Sequence, residues 1–194
     1  FRMSPRLVIS ENSQELMAIW NQSSISQSQR GIYAQRLNGN GSRLWGSSGT
    51  AVVPLNNSYI YYDLTAAGFG EEMITIFIQG NSNNSISDIY AIRLDTDGSP
   101  IWMSEEVTVT SSGSSKSDMM VDKGQGCLFI AWIENGNVYA HRLREDGILG
   151  MPDSYMPGDV NADGEINVID IIATVEIILT EGDFNAYADL NGDG

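Results

Sequence analysis

Twelve residues near the end of the chain place oxygen-bearing side chains at a spacing that can bind a metal ion. In the segment from Asp159 to Asp170, positions 1, 3, 5, 9 and 12 are among those that carry oxygen-bearing side chains, and position 6 is glycine. A hard cation such as calcium takes about six to eight oxygen ligands, and alternate residues of a tightly wound loop can all point inward. The spacing therefore predicts a calcium site.

Each position of this loop has a predicted role. Gly164 permits a sharp turn that a residue with a Cβ would resist. The predicted ligands are Asp159, Asn161 and Asp163 through their side chains, Glu165 through its backbone carbonyl, Asn167 directly or through a water, and Asp170 as the closing ligand. The alternative is a polar turn before a helix, which does not require the pattern to be completed at positions 9 and 12. We expect calcium as the cofactor.

The first half of the same pattern recurs at the end of the sequence. Asp189, Asn191 and Asp193 repeat positions 1, 3 and 5 thirty residues later, and Gly194 repeats the glycine. A calcium loop with only an exiting helix, duplicated after a short linker, resembles the dockerin type I module of cellulosomes and related secreted bacterial proteins. The resemblance covers residues 158–194, with the second repeat incomplete. It implies an EF-hand-like loop and helix, an extracellular or cell-surface location in a bacterium, and docking onto a cohesin-type module of a scaffold protein.

A helix is predicted directly after the first loop. Apolar residues form a one-sided stripe at positions 168, 171, 172, 175, 178 and 179, and Gly182 is expected to end the helix. The resemblance implies that loop positions 10 and 11, here Val168 and Ile169, contact the cohesin. Because the clostridial pattern has small hydroxylated residues there, these two side chains predict a more apolar interface.

The charge of the chain is concentrated in the same segment. Residues 158–194 hold nine acidic residues and no Lys or Arg, within a total net charge of −15. Such a segment repels nucleic acid and anionic membrane surfaces, so neither is an expected partner. No run of about 18 apolar residues is present, so no membrane insertion is expected. The clustered carboxylates instead predict that a cation is needed for folding.

The first 147 residues contain a repeated pattern of strands and turns. The segment Ile32–Leu37 recurs at 89–94 and 138–143, and a glycine-containing turn follows each copy. A tryptophan stands four residues past the last glycine of the first two turns, at Trp45 and Trp102, and Met151 takes that place in the third. Each full unit is predicted to contain four short antiparallel strands, which is the number of strands in a β-propeller blade.

These patterns predict an all-β region followed by a small α-helical calcium-binding module. The all-β region is expected to be a partial β-propeller, similar to repeats of many secreted bacterial propellers, and a β-sandwich is the alternative. The predicted domains are residues 1–147, with units of about 5–56, 57–115 and 116–147, a linker at 148–157 and the dockerin-like module at 158–194. Because a ring needs at least four blades, we expect the chain to be part of a longer protein.

The recurrent polar and aromatic side chains admit a structural and a binding interpretation. Arg36, Arg93 and Arg142 occupy one strand slot, where the stem can cover apolar surface and the head can pair with a turn carboxylate. The tyrosines of the same strands could pack or could stack on sugar, and the polar runs 21–29 and 80–87 could meet a polysaccharide. Regular recurrence favours the structural interpretation for both side-chain types, with the tyrosines packing between repeats.

The sequence nominates no catalytic residues. Adjacent acids such as Glu71 and Glu72 would face opposite sides of a strand, whereas a general acid and base must face one substrate. Cys127 and His141 are the single residues of their types, which excludes a disulfide within these residues or a histidine-rich centre. The expected function is a non-catalytic recognition region tethered through the docking module. The alternative is a propeller-type glycoside hydrolase or lyase with its catalytic residues outside these 194 residues.

Overall fold

The computed structural model describes residues 1–10, 15–83, 85–150, 158–161, 166–179 and 188. They form eleven strands and one helix. The strands are β1 (Arg2–Ile9), β2 (Leu16–Ser23), β3 (Arg30–Leu37), β4 (Thr50–Asn56), β5 (Ile60–Phe69), β6 (Glu72–Gly80), β7 (Ser87–Leu94), β8 (Val107–Thr110), β9 (Lys116–Gly124), β10 (Cys127–Glu134) and β11 (Asn137–Arg144), and the helix is α1 (Val168–Leu179).

The strands pair in chain order into three antiparallel sheets. Sheet 1 has the order β1-β2-β3-β4, sheet 2 the order β5-β6-β7-β8, and sheet 3 the order β9-β10-β11. The three predicted copies lie in equivalent strands β3, β7 and β11. The polar run 21–29, expected as a loop, begins inside β2, because Asn21 and Gln22 pair with β3 through their backbones.

The sheets pack face to face through two apolar cores. The first core joins sheets 1 and 2 and includes Met17, Ile32 and Phe77; the second joins sheets 2 and 3 and includes Ile76 and Leu128. Sheet 2 therefore buries both faces, and β6 reads as a nearly continuous apolar run rather than as an alternating one. This predominantly β architecture confirms the predicted fold class at the level of three antiparallel sheets and one helix.

The first strand of every sheet carries the same bulge. Ser4, Asp63 and Asp118 adopt left-handed backbone conformations with φ of 52°, 46° and 53°. The strand register shifts at each of these points. An extra residue in one strand increases the local twist and bends the strand. The three repeats thus share backbone geometry as well as sequence.

The chain divides into two compact units, Phe1–Gly150 and Met151–Gly194. In the second unit, α1 begins at Val168 and spans the predicted stripe, which confirms the predicted helix. The predicted end at Gly182 lies outside the described residues, as does most of the predicted linker. No described helix has the length and apolarity required to cross a membrane.

Candidate metal centre

The two ends of the predicted calcium loop are buried carboxylates. Asp159, at position 1, exposes 1% of its surface, and Asp170, at position 12, exposes 2%. Asp170 lies in the first turn of α1. Carboxylates at such depth need hydrogen-bond donors or cations to offset the loss of hydration.

Asp170 closes the loop through backbone hydrogen bonds. Its Oδ1 accepts from the backbone N–H of Val160 at 2.7 Å and of Asn161 at 3.2 Å, and its Oδ2 accepts from the N–H of Asn167 at 2.8 Å. The N–H of Asn167 is the largest cause that lowers the pKa of Asp170, and those of Asn161 and Val160 act in the same direction against the opposing effect of burial. Asp170 is therefore held as a carboxylate.

Asn167 begins the helix. Its side-chain Oδ1 accepts a hydrogen bond from the N–H of Ile169 at 2.8 Å, which is the geometry of an N-cap. Thr174 Oγ1 donates to the carbonyl of Asp170 at 2.8 Å one turn later. The residue predicted to supply loop position 9 thus fixes the start of α1 as well.

The structure describes four of the nine predicted metal ligands: Asp159, Asn161, Asn167 and Asp170. The other five lie outside the described residues, and they are Asp163, Glu165, Asp189, Asn191 and Asp193. Within the described part of the chain, no three His, Cys, Asp or Glu side chains converge on one point. The described residues nevertheless fit a calcium ion chemically, because they offer oxygen donors and buried negative charge in a segment without Lys or Arg.

The predicted partner-binding residues are exposed at the start of α1. Val168 exposes 65% of its surface and Ile169 exposes 53%. The remaining apolar stripe of α1 is exposed too, and beside it lies a groove of about 480 Å³ lined by residues such as Ile171, Val175 and Ala188. A surface of this kind typically marks an interaction site.

In the β region, two of the three recurrent arginines, Arg36 and Arg93, form ion pairs. Arg36 Nη2 lies 3.5 Å from Glu71, and its Nε donates to Glu15. Arg93 Nη2 lies 2.7 Å from Glu72. These contacts confirm the structural interpretation for Arg36 and Arg93. They also place the neighbouring acids Glu71 and Glu72 against different arginines.

The recurrent tyrosines form one cross-strand aromatic pair in each sheet. Tyr33 stacks on Trp20 at 6.5 Å, and Tyr90 stacks on Phe77 at 6.0 Å between ring centroids. In sheet 3, Tyr139 stacks on Trp132 at 6.0 Å. Packing explains why the tyrosines recur, although the pairs lie within a sheet rather than between repeats.

One buried charged pair has no signal in the sequence. Lys116 is fully buried, and its Nζ donates to the carbonyls of Ser87 at 2.6 Å and Ser114 at 3.0 Å. The same Nζ lies 3.8 Å from the carboxylate of Glu134. Ser114 belongs to the serine-rich run 111–115, but nothing in that run predicts a buried lysine. Because Ser87 lies in β7 and Lys116 in β9, the hydrogen bond between them joins sheets 2 and 3.

Comparison with known proteins identifies a family for one part of the chain. Residues 157–194 match the family model of the Dockerin type I domain. No curated protein matches the sequence. Among solved structures, the endo-arabinase from Bacteroides thetaiotaomicron VPI-5482 is similar at 15% identity, with a TM-score of 0.47, over 74% of this chain and 57% of that chain. This match confirms the resemblance to the dockerin type I module stated for residues 158–194.

Proposed function

We propose that residues 158–194 form a calcium-ordered docking module that attaches a secreted or cell-surface bacterial protein to a cohesin-type scaffold module. Residues 148–157 act as the linker, and residues 1–147 form a non-catalytic recognition or spacer region. The proposal rests on the family match together with the loop closed by Asp170.

The closed loop supports a role for the metal in ordering the module. Asp170 joins the start of the loop to the first turn of α1, so an ion held by the loop would also stabilise the helix. Asp159, Asn161, Asn167 and Asp170 would hold the ion, together with the predicted ligands outside the described residues. Calcium would supply charge neutralisation and structural order rather than reaction chemistry.

The β region supports a partial β-propeller as its architecture. Two four-stranded sheets and one three-stranded sheet follow one another along the chain and pack face to face, as blades do. The polysaccharide-degrading enzyme inferred as an alternative stays a prediction, because it places the catalytic residues outside these 194 residues.

Calcium titration of the metal-free chain tests the first part of the proposal. We expect binding heat and a gain of helical circular dichroism, both lost in the double variant Asp159→Ala with Asp163→Ala. All four tryptophans lie in the first unit, so their near-ultraviolet signal reports the β region separately and should melt as in the wild type. A wild-type chain that gives neither heat nor helix would exclude the calcium site.

A matched control separates site loss from charge loss. The double variant Glu176→Gln with Glu181→Gln also removes two negative charges from the same segment but leaves the twelve-residue loop intact. It should bind calcium as the wild type does. If both double variants lost the binding heat and the helix gain equally, these two signals would report the net charge of the segment and not a calcium site.

Binding to a panel of cohesin-type modules, measured with calcium present, tests the partner. Val168→Gln and Ile169→Gln should each weaken binding, because a polar side chain replaces an exposed apolar contact, and since neither change adds a charge to the calcium loop, calcium titration should stay as in the wild type. Glu176→Gln is the control on the same helix. Calcium binding without any cohesin binding would reject the partner and leave the metal site standing.

A further inference from the structure

The two junctions between sheets use the same contact. At the first, Arg36 Nη1 and Trp45 Nε1 both donate to the carbonyl oxygen of Thr96, at 3.1 and 2.8 Å. At the second, Arg93 Nη1 and Trp102 Nε1 both donate to the carbonyl of Glu145. In each case the acceptor belongs to the glycine turn of the next repeat.

A glycine in each turn allows the tryptophan ring to lie close against the turn. A Cβ added at Gly98 would lie 3.1 Å from the indole of Trp45, and one at Gly147 would lie 3.1 Å from the indole of Trp102. Both glycines also have positive φ, of 84° and 87°. Each junction therefore has a donor side, formed by an arginine and a tryptophan nine residues later, and an acceptor side, formed by the turn.

The first repeat has an acceptor side of the same construction. In its turn, Asn38 Oδ1 accepts from the N–H of Asn40 at 3.1 Å and of Ser42 at 2.9 Å, as Asp95 Oδ1 does in the second repeat. Gly41 has φ of 78°, like its two counterparts. Unlike them, it has no described atom within 4 Å of an added Cβ. The carbonyl of Gly39 stands at the position of the two acceptors.

The sheet face beside this turn is uncovered as well. Leu7 exposes 65% of its surface and Ile9 exposes 73%. By strand register, Leu7 and Ile9 correspond to Ala66 and Gly68 of sheet 2. The face of sheet 2 that carries Ala66 and Gly68 packs on sheet 1. The contact there is close, because a Cβ added at Gly68 would lie 2.9 Å from the carbonyl oxygen of Ile9. Sheet 1 thus presents the acceptor turn and the matching apolar face together.

We propose that this surface, defined by Leu7, Ile9 and the turn 38–41, docks a further four-stranded repeat. That repeat carries an arginine and a tryptophan nine residues apart, which donate to the carbonyl of Gly39, and an apolar face like that of Met17, Ile19 and Ile32. The inference deepens the propeller part of the proposed function but does not require a closed ring.

A second copy of this chain fits the surface less well. Its uncovered sheet 3 would present Phe129 and Val138, which expose 51% and 76% of their surfaces, together with Arg142. The tryptophan slot nine residues after Arg142 holds Met151, which has no N–H donor in its side chain. The partner is therefore a repeat with both donors.

The test extends the full chain with a copy of its own residues 1–59 placed before Phe1, which presents a second Arg36 and Trp45 to the surface. In the unextended chain, Gly41→Ala should lower the Tm less than Gly98→Ala, because it meets only backbone strain. In the extended chain, the original Gly41→Ala should lower the Tm as much as Gly98→Ala. Gly136→Ala, with φ of 77° and open space, is the control and should have the same effect in both chains.

A second extension, made from residues 57–115, presents Arg93 and Trp102 on a different framework. The proposal is overturned if neither extension folds or if neither makes Gly41→Ala as costly as Gly98→Ala. Sedimentation of the unextended chain tests the other occupant. A concentration-dependent oligomer that Val138→Asp abolishes would assign the surface to a second copy and reject the proposed repeat.

Discussion

The indole nitrogen of Trp45 donates a hydrogen bond of 2.8 Å to the carbonyl oxygen of Thr96, which lies 51 residues later in the turn of the next repeat. The same relationship joins Trp102 to Glu145 at 3.0 Å. A recurrent tryptophan is therefore a connection between repeats and not only a core side chain. This contact makes the stability of one sheet depend on the next.

Replacing Trp45 with phenylalanine should destabilise the β region. The variant removes the indole donor and leaves the Thr96 carbonyl without it, at an expected cost of about 1 kcal/mol in the free energy of unfolding, while most of the apolar contact remains. Denaturant unfolding followed by near-ultraviolet circular dichroism measures the change. Trp20→Phe is the control, because Trp20 donates to Gln22 of its own strand. Equal stability of the Trp45 variant and the wild type would contradict an energetic role for this bond.

Replacing Arg36 with methionine should cost more than replacing an exposed arginine. Arg36 is buried and pairs with Glu15 and Glu71, so its loss leaves carboxylates without their cation, at about 2–3 kcal/mol. Arg43→Met is the control, because Arg43 is exposed and its side chain donates to the carbonyl of Ser47 rather than to a carboxylate. Urea unfolding measures the free energy of unfolding of both variants. Similar decreases in the two variants would contradict a stabilising role for the ion pairs of Arg36.

The buried carboxylate of Glu134 should make stability depend on pH. Hydrogen bonds from Ser112, above all, and from Trp132, together with the charge of Lys116, lower the pKa of Glu134 below its ordinary value of 4.5. Because the pKa is lower in the folded state, the stabilisation is complete above pH 4.5 and is lost as the pH falls through the folded-state value.

The variant Glu134→Gln tests this dependence. It leaves the ammonium of Lys116 buried without its counterion, so we expect a loss of about 3 kcal/mol at pH 7. The difference between variant and wild type should shrink as the pH is lowered below 4.5. The measurement is the free energy of unfolding of variant and wild type from pH 7 to pH 3. A difference between them that does not change with pH would mean that the variant loses stability through packing alone.

Replacing Asp170 with asparagine should weaken both the loop and the start of α1. The amide keeps one oxygen acceptor, whereas the carboxylate uses both oxygens to accept from Val160, Asn161 and Asn167. We expect less helical circular dichroism than the wild type without metal and a smaller gain when calcium is added. Glu176→Gln removes the same charge from the same helix and should change neither signal. Wild-type behaviour of the Asp170 variant would contradict its closing role.

Local sequence patterns predicted the parts of this protein that depend on near neighbours. The apolar stripe predicted a helix that includes Val168, where α1 begins. The recurrence of the Ile32–Leu37 segment predicted that β3, β7 and β11 occupy equivalent positions. The first strand of the second repeat, β5, is not marked by a sequence pattern, because its apolar residues are interrupted by Asp63 and Thr65 and the bulge disturbs their alternation.

The sequence by itself determined the repeats, the helix and the spacing of the calcium loop, because each is a pattern of residue types along the chain and does not depend on which distant segments meet. Only the tertiary structure decided which atoms meet across repeats, such as Trp45 with Thr96 and Lys116 with Ser87. The alternation of a strand divides its residues into two faces but does not say what each face meets. That choice is made when sheets stack, since burial then requires each donor to find an acceptor on a distant segment.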